Sequence, residues 1–180
     1  MKRIIFALLL VPAFAFGQSK QFLNHFWDIP WGASIDQAET ILNERSLHFV
    51  KDDKSLIVQA KYEREDATII LMFNRMSRFY SGNVIYTSSN DTVLNHYDKY
   101  RKVLFRRYGM PDTAVEYYAD PYKKGDGKVI EAIQTNNAFH YTEWEFSDKC
   151  LASVTILRNI NVCLNFRNPA YADTPPVGMR

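Results

Sequence analysis

The sequence predicts an α+β fold: an antiparallel β-sheet meander with two helices packed on one face. Three observations lead there. Aromatic residues make up 14% of the 180-residue chain and cluster in short runs with β-branched neighbours, the composition of strands. Those runs are joined by short polar connections, which suit antiparallel neighbours because parallel pairs need long crossovers. The runs also fall into two groups, each preceded by a segment of helical periodicity, which is the segregated order of an α+β protein.

The first 17 residues read as a cleavable signal peptide. Lys2 and Arg3 form a positive start, Ile4 to Phe16 is an uncharged apolar run bent at Pro12, and Ala15 and Gly17 are small residues before a cut ahead of Gln18. The run is shorter than the about 20 residues a bilayer span needs. Polar Gln18–Gln21 follow it with no stop-transfer pattern, and no cysteine stands at the cut to carry a lipid. The expectation is a periplasmic or secreted protein. Residues 18–167 make one domain, long enough for its own core, and the Pro-rich stretch 168–180 reads as a disordered tail. The whole chain has 22 Lys+Arg against 20 Asp+Glu. Lys2 and Arg3 leave with the leader, so the mature chain balances at zero, which speaks against a nucleic-acid partner.

Along the mature chain, Phe22, Phe26, Trp27, Ile29 and Trp31 form an aromatic segment that ends in the turn Pro30-Trp31-Gly32. Ser34 and Gln37 make a capping-box pattern, and Ile35, Ala38, Ile41 and Leu42 place a short amphipathic helix over 35–45. Strands are expected at Leu47–Val50, Leu56–Tyr62, Ala67–Phe73 and Phe79–Thr87. A second helix spans Ser88 to Gly109, capped by Ser88 or Asp91, with a stripe of Val93, Tyr97, Tyr100, Leu104 and Tyr108. Gly109 fits a left-handed end and Pro111 a stop. Further strands are expected at Thr113–Tyr118, Val129–Thr135, Ala138–Phe146, Leu151–Leu157 and Val162–Phe166, with Asp120–Lys128 a hairpin loop and Asn136-Asn137 a tight turn. The order of helix and strands occurs twice, as in a diverged repeat, without residue-level similarity between the halves.

Cys150 and Cys163 invite a disulfide in an exported protein. A hairpin turning at Asn159-Ile160 argues against one. It sets Cys163 opposite Ile156 and Cys150 opposite Pro169, about 20 Å apart along the strands, whereas a bridge needs Cα atoms within about 7 Å.

No pattern for catalysis, a metal or a cofactor emerges. His140 and Glu143 have a spacing that shares a face only in a helix, and here the surrounding residues are those of a strand. His25 and Asp28 have no third ligand nearby. Asp120, Gly125, Asp126 and Gly127 lack the calcium-loop pattern, and Lys128 is followed by Val129 rather than the hydroxyl residue of a phosphate loop. No nucleophile elbow occurs. The cations Lys99, Arg101, Lys102, Arg106 and Arg107 suit a helix C-terminus and, as a third reading, a membrane surface.

The feature that suggests function is aromatic excess on both faces of the strands. Phe79 and Ile85 alternate with Tyr80, Val84 and Tyr86 around Gly82, and Phe139 and Tyr141 alternate with Trp144 and Phe146. A sheet covered by helices on one side needs one apolar face, so the other is free to bind, unless the tail, a loop or the N-terminal segment covers it. The candidate binding surface is Tyr80, Tyr86, Tyr141 and Trp144. The expected function is a non-enzymatic binding module for an envelope protein or a small ligand. The alternative is a periplasmic hydrolase with its site dispersed over loops.

Phe26-Trp27-Asp28-Ile29-Pro30-Trp31-Gly32-Ala33-Ser34 and the later Tyr108-Gly109-Met110-Pro111 resemble motifs of a group of small exported bacterial proteins. That group has an I-P-W-G-x-S opening and a Y-G-x-P helix end. The resemblance implies export and brings no catalytic residues. The helix-then-meander order is also similar to the β-lactamase-inhibitor-protein fold and to the outer-membrane-assembly lipoproteins that share it. That likeness implies protein binding, although the lipidated cysteine of the lipoproteins is missing here.

Overall fold

A computed structural model of the chain describes residues 22–173. The expected leader and the end of the expected tail lie outside these residues. A small hairpin of β1 (His25–Phe26) and β2 (Ile29–Pro30) opens the fold. After it come α1 (Ile35–Glu44) and four strands: β3 (Phe49–Asp52), β4 (Ser55–Tyr62), β5 (Glu65–Phe73) and β6 (Phe79–Tyr86). Then come α2 (Val93–Tyr108), β7 (Thr113–Tyr118), α3 (Val129–Gln134), β8 (Ala138–Glu145), β9 (Leu151–Ile156) and β10 (Val162–Arg167). One antiparallel sheet takes in eight strands in the order β3-β4-β5-β6-β10-β9-β8-β7, so the α+β class and the antiparallel sheet hold. Among the described residues no helix is long and apolar enough to cross a membrane.

The sheet is two four-stranded meanders joined edge to edge. The last strands of the two, β6 and β10, pair antiparallel with Asn83 opposite Asn165, and the Asn165 amide donates to Asn83 Oδ1 at 2.8 Å. The doubled order of helix and strands thus becomes a near two-fold arrangement about this asparagine pair.

The start of α1 follows its sequence. Ser34 Oγ accepts from the Gln37 amide, Gln37 returns a bond to the Ser34 amide, and Ala38 and Leu42 are buried. In α2 the stripe holds, with Val93, Tyr97, Tyr100 and Leu104 buried, and Gly109 ends the helix at φ 78°. Its start differs. Thr92 is the N-cap residue and makes no side-chain cap. The Ser88 hydroxyl is drawn instead to His96 Nδ1 at 2.8 Å, while Ser89 and Thr92 bond each other.

The segment expected as a strand at Val129–Thr135 is the helix α3. Its β-branched residues mimic a strand, yet Ala132 and Ile133 bury one helical side. Asn136-Asn137 is a helix stop rather than a hairpin turn. Asn136 takes a positive φ of 62°, and the two amides return to the carbonyls of Ile133 and Ala132. β7 and β8 are therefore partners across a long connection that contains α3, and 120–128 is part of that connection.

The aromatic N-terminal segment is core. Phe26 stacks on Phe166 with centroids 5.0 Å apart, and Trp31 stacks on Phe79 at 5.0 Å. Register shifts at the end of β5, where Met72 faces Ser81 but Phe73 faces Phe79, leaving Tyr80 as the extra residue of a bulge. Phe79 consequently joins Phe26, Trp31 and Phe73 in the core rather than sharing a face with Ile85. The expected tail is ordered in its first part. Residues 168–173 include a 3-10 turn at Pro169–Tyr171. The Asn74 amide donates to the Tyr171 carbonyl at 2.7 Å, and the Tyr171 ring lies over Gly32, where φ is 78° and a Cβ would stand 2.4 Å from the ring.

Candidate functional site

The two faces of the sheet are chemically different. Towards α2 point the buried residues. Tyr86 stacks on Tyr100 at 3.9 Å, Thr142 shares a 2.8 Å hydrogen bond with the Tyr97 hydroxyl, and the Trp144 indole donates to the Gly109 carbonyl at 2.8 Å. Two members of the expected binding surface are thereby reassigned. Tyr86 is 2% exposed and Trp144 fully buried, so neither is available to a partner. Tyr80 and Tyr141 are half-buried, and they are not one continuous aromatic strip with the other two.

Turned away from α2 are the alternate residues of each strand, and register lines them up across the sheet. Its middle is polar. The Asn165 amide donates to Ser81 Oγ at 2.9 Å as well as to Asn83, and Arg167 approaches Glu143 at 3.6 Å. Tyr141 donates to Glu143, and burial together with that carboxylate pushes its hydroxyl up to about 12. The end formed by β7 and β8 is aromatic and open. Tyr117 and Phe139 sit opposite each other, stacked at 5.2 Å, and are 48% and 45% exposed, with Val115 beside them at 38%. Sequence reasoning missed Val115, Tyr117 and Phe139 as a patch. Each alternates correctly within its strand, but only the β7–β8 pairing, hidden by the long connection, brings them together.

On the α2 side a cleft of about 670 Å³ lies between α2 and β7–β8. Its floor holds His140, Thr142, Ala114 and Glu116; Asp98 and Arg101 stand on the helix wall, and Lys124 on the loop. The charges are internally matched: Arg101 with Asp98 at 2.8 Å and Lys124 with Glu116 at 2.5 Å. His140 is 7% exposed and its Nε2 shares a 3.0 Å bond with the Tyr118 hydroxyl. Glu143 lies on the opposite face, so the two never converge. Among the described residues no group of three or more His, Cys, Asp or Glu is placed to hold a metal.

Burial holds the His140 pKa below the ordinary histidine value, against the weaker upward pull of Glu116. The unfolded chain, with its histidine near about 6.5, therefore takes up the proton first as pH falls. His140 contributes stability that is complete above that value and is lost as pH drops through the folded pKa. NMR titration is expected to place its midpoint below about 6.5. His140→Gln removes this part of the acid sensitivity, and an unchanged pH dependence would contradict the assignment.

Four of the five cations of α2 are engaged: Lys99 with Glu65, Arg101 and Lys102 with Asp98, and Arg107 with Glu63. Arg106 alone among them has no ion pair with a described residue, so the cationic face expected for a membrane surface is largely neutralised by acidic partners.

Cys150 and Cys163 are free and buried. The β9–β10 hairpin sets Cys163 opposite Thr155, one residue from the expected register, and the sulfurs stay apart. Burial pushes both thiols up to about 12, where the reactive thiolate is scarce at neutral pH. Neither is expected to react with a thiol reagent in the native protein. Both should react on addition of denaturant, and rapid native labelling would contradict their burial.

Compared with protein-family models, with curated proteins and with solved structures, the chain finds no match.

Proposed function

We propose that this chain is an exported, non-enzymatic binding module that presents the sheet face turned away from α2 to another protein of the bacterial envelope. In this reading α1 and α2 together cover one face of the sheet, and the other is left for recognition. The observation that carries it is the stacked Tyr117–Phe139 pair with Val115, an exposed aromatic patch beside a polar field of Asn83, Asn165, Ser81 and Glu143. Rigid aromatic anchors beside satisfied polar groups are the composition of protein-recognition surfaces. The signal-peptide pattern and the I-P-W-G-x-S opening support the envelope as the place of action.

The test is site-specific photo-crosslinking in the native host, with the probe at Tyr117 and, separately, at Arg106 on the far side of α2. One envelope protein captured from position 117 and not from 106 is the expected result. The same products from both positions would overturn the reading. Tyr117→Ala and Phe139→Ala should abolish capture while costing only about 1 kcal/mol each in stability, because a cross-strand pair on an exposed face contributes little to the core.

The second reading, a hydrolase, draws on the cleft and its buried His140. It is the weaker one, because the hydroxyl that meets the His140 ring is the phenol of Tyr118, and the Thr142 hydroxyl on the same floor is tied to Tyr97. A hydrolytic activity lost in His140→Gln with the fold intact would promote it.

A further inference from the structure

The two edges of the sheet are treated differently. β3 is four residues long and ends in Lys51 and Asp52, with Lys51 paired to Glu39 at 2.6 Å. Shortness and charge are the usual protections against edge pairing. β7 has neither a lysine nor a proline in Thr-Ala-Val-Glu-Tyr-Tyr, and its four central residues, Ala114 to Tyr117, are all exposed. Among the described residues no strand pairs along its outer side.

The backbone of that edge can be read from its pairing. Ala119 donates to the Asn137 carbonyl at 2.7 Å, in register with the β7–β8 ladder. Since successive residues of a strand point their N–H and C=O to opposite sides, Val115 and Tyr117 face β8. Ala114, Glu116 and Tyr118 direct theirs outward, with no backbone partner among the described residues.

We infer that β7 pairs antiparallel with β7 of a second copy of this chain, with Val115 opposite Val115 on the dimer axis. The argument is one of parity and charge. A two-fold axis normal to the sheet keeps the same face upward in both copies, so a residue meets one of equal parity. Centring on Glu116 would set two like charges directly opposite, which is destabilising. Centring on Tyr117 shortens the overlap to the end of the strand. Centring on Val115 places each Ala114 opposite the Glu116 of the other copy, and these pairs carry the outward backbone groups, so both of their hydrogen bonds form. Each Tyr117 then lies over Thr113 of the other copy, and the two Tyr117–Phe139 stacks stand on the same face, one on either side of the Val115 pair. Glu116 stays neutralised by its own Lys124.

Two further features fit. The fold already contains a joint of this kind, the β6–β10 seam, where two meanders meet antiparallel with like residues, Asn83 and Asn165, at the centre. Ala114 lines the cleft beside α2, so in the dimer the second copy's Glu116, set opposite Ala114, would stand at the edge of that cleft. The inference is independent of what the open face binds.

The test is sedimentation velocity of residues 18–180 over a range of concentrations, together with cysteine cross-linking. A reversible dimer at high concentration is expected, since an interface of this modest size is a weak one. Ala114→Pro removes an outward N–H, a change edge strands tolerate, and Val115→Lys sets like charges on the axis. Both variants should stay monomeric with unchanged melting curves. Residues opposite each other in a non-hydrogen-bonded pair have Cα atoms about 4.5 Å apart, so V115C should form a cross-linked dimer under mild oxidation while Y117C does not. A monomer at every concentration would leave the edge to a strand of another protein and overturn the inference. So would a dimer indifferent to both variants, or cross-linking that favours Y117C.

Discussion

Trp144→Ala is expected to remove about 3–5 kcal/mol of stability, the usual range for truncating a large buried aromatic, and to lower the melting temperature by on the order of 10 °C. The indole is fully buried, and two kinds of loss add. Its ring leaves a cavity in the layer between α2 and the sheet. Its N–H also leaves the Gly109 carbonyl, which it caps at 2.8 Å and which, at a helix end, has no intrahelical partner. Trp144→Phe should therefore recover most but not all of the loss, since it restores ring volume and not the donor. Urea denaturation of the two variants measures both parts. If Trp144→Ala cost no more than the about 0.5 kcal/mol typical of a surface change, the tryptophan would not be a core residue and the assignment of the two faces would fail. The contrast with Tyr117→Ala, on the same sheet and nearly neutral, is what separates a residue that holds the fold from one that is free to bind.

The first half of the chain was legible because its connections are short. Residues 47–87 contain four strands joined by turns of a few polar residues, and each of the four is visible as an apolar, β-branched or aromatic run between those turns. Tyr80 is the exception: as the extra residue of a bulge it reverses the parity of Phe79, and nothing local announces an inserted residue. The second half was less legible for a different reason. Val129, Ile130 and Ile133 carry strand propensity, but a six-residue segment is too short for its period to decide between helix and strand. Ala132 and Ile133 settle it only by finding β8 to lie on. Read as a strand, 129–135 separates β7 from its true partner β8 and hides both the Tyr117–Phe139 patch and the Glu116–His140 neighbours on the cleft floor. The candidate surface failed at Tyr86 and Trp144 because alternation says which residues share a face, not which face the helix takes.

Gly82→Ala is expected to destabilise strongly, although by itself an alanine is the better strand residue. A Cβ at Gly82 would stand 2.2 Å from the Phe26 ring, and that ring is held by Phe166 at 5.0 Å and Tyr62 at 6.0 Å. There is no rotamer escape without disturbing both neighbours. Overpacking of this kind costs about 1–3 kcal/mol, rising towards the about 3–5 kcal/mol of a lost phenylalanine if the ring is expelled with its two-residue strand. The same contact predicts a rescue. Phe26→Ala alone opens a cavity over Gly82 and is itself costly, but in Phe26→Ala/Gly82→Ala the new methyl enters space the ring has vacated. The double variant should be no less stable than Phe26→Ala, a non-additivity of 1 kcal/mol or more, within the about 0.5–3 kcal/mol seen for residues in contact. Urea midpoints for the two single variants and the double complete the cycle. Simple additivity would mean that Phe26 does not rest on Gly82, and the aromatic segment from Phe22 to Trp31 would then have to be placed elsewhere than over the centre of the sheet.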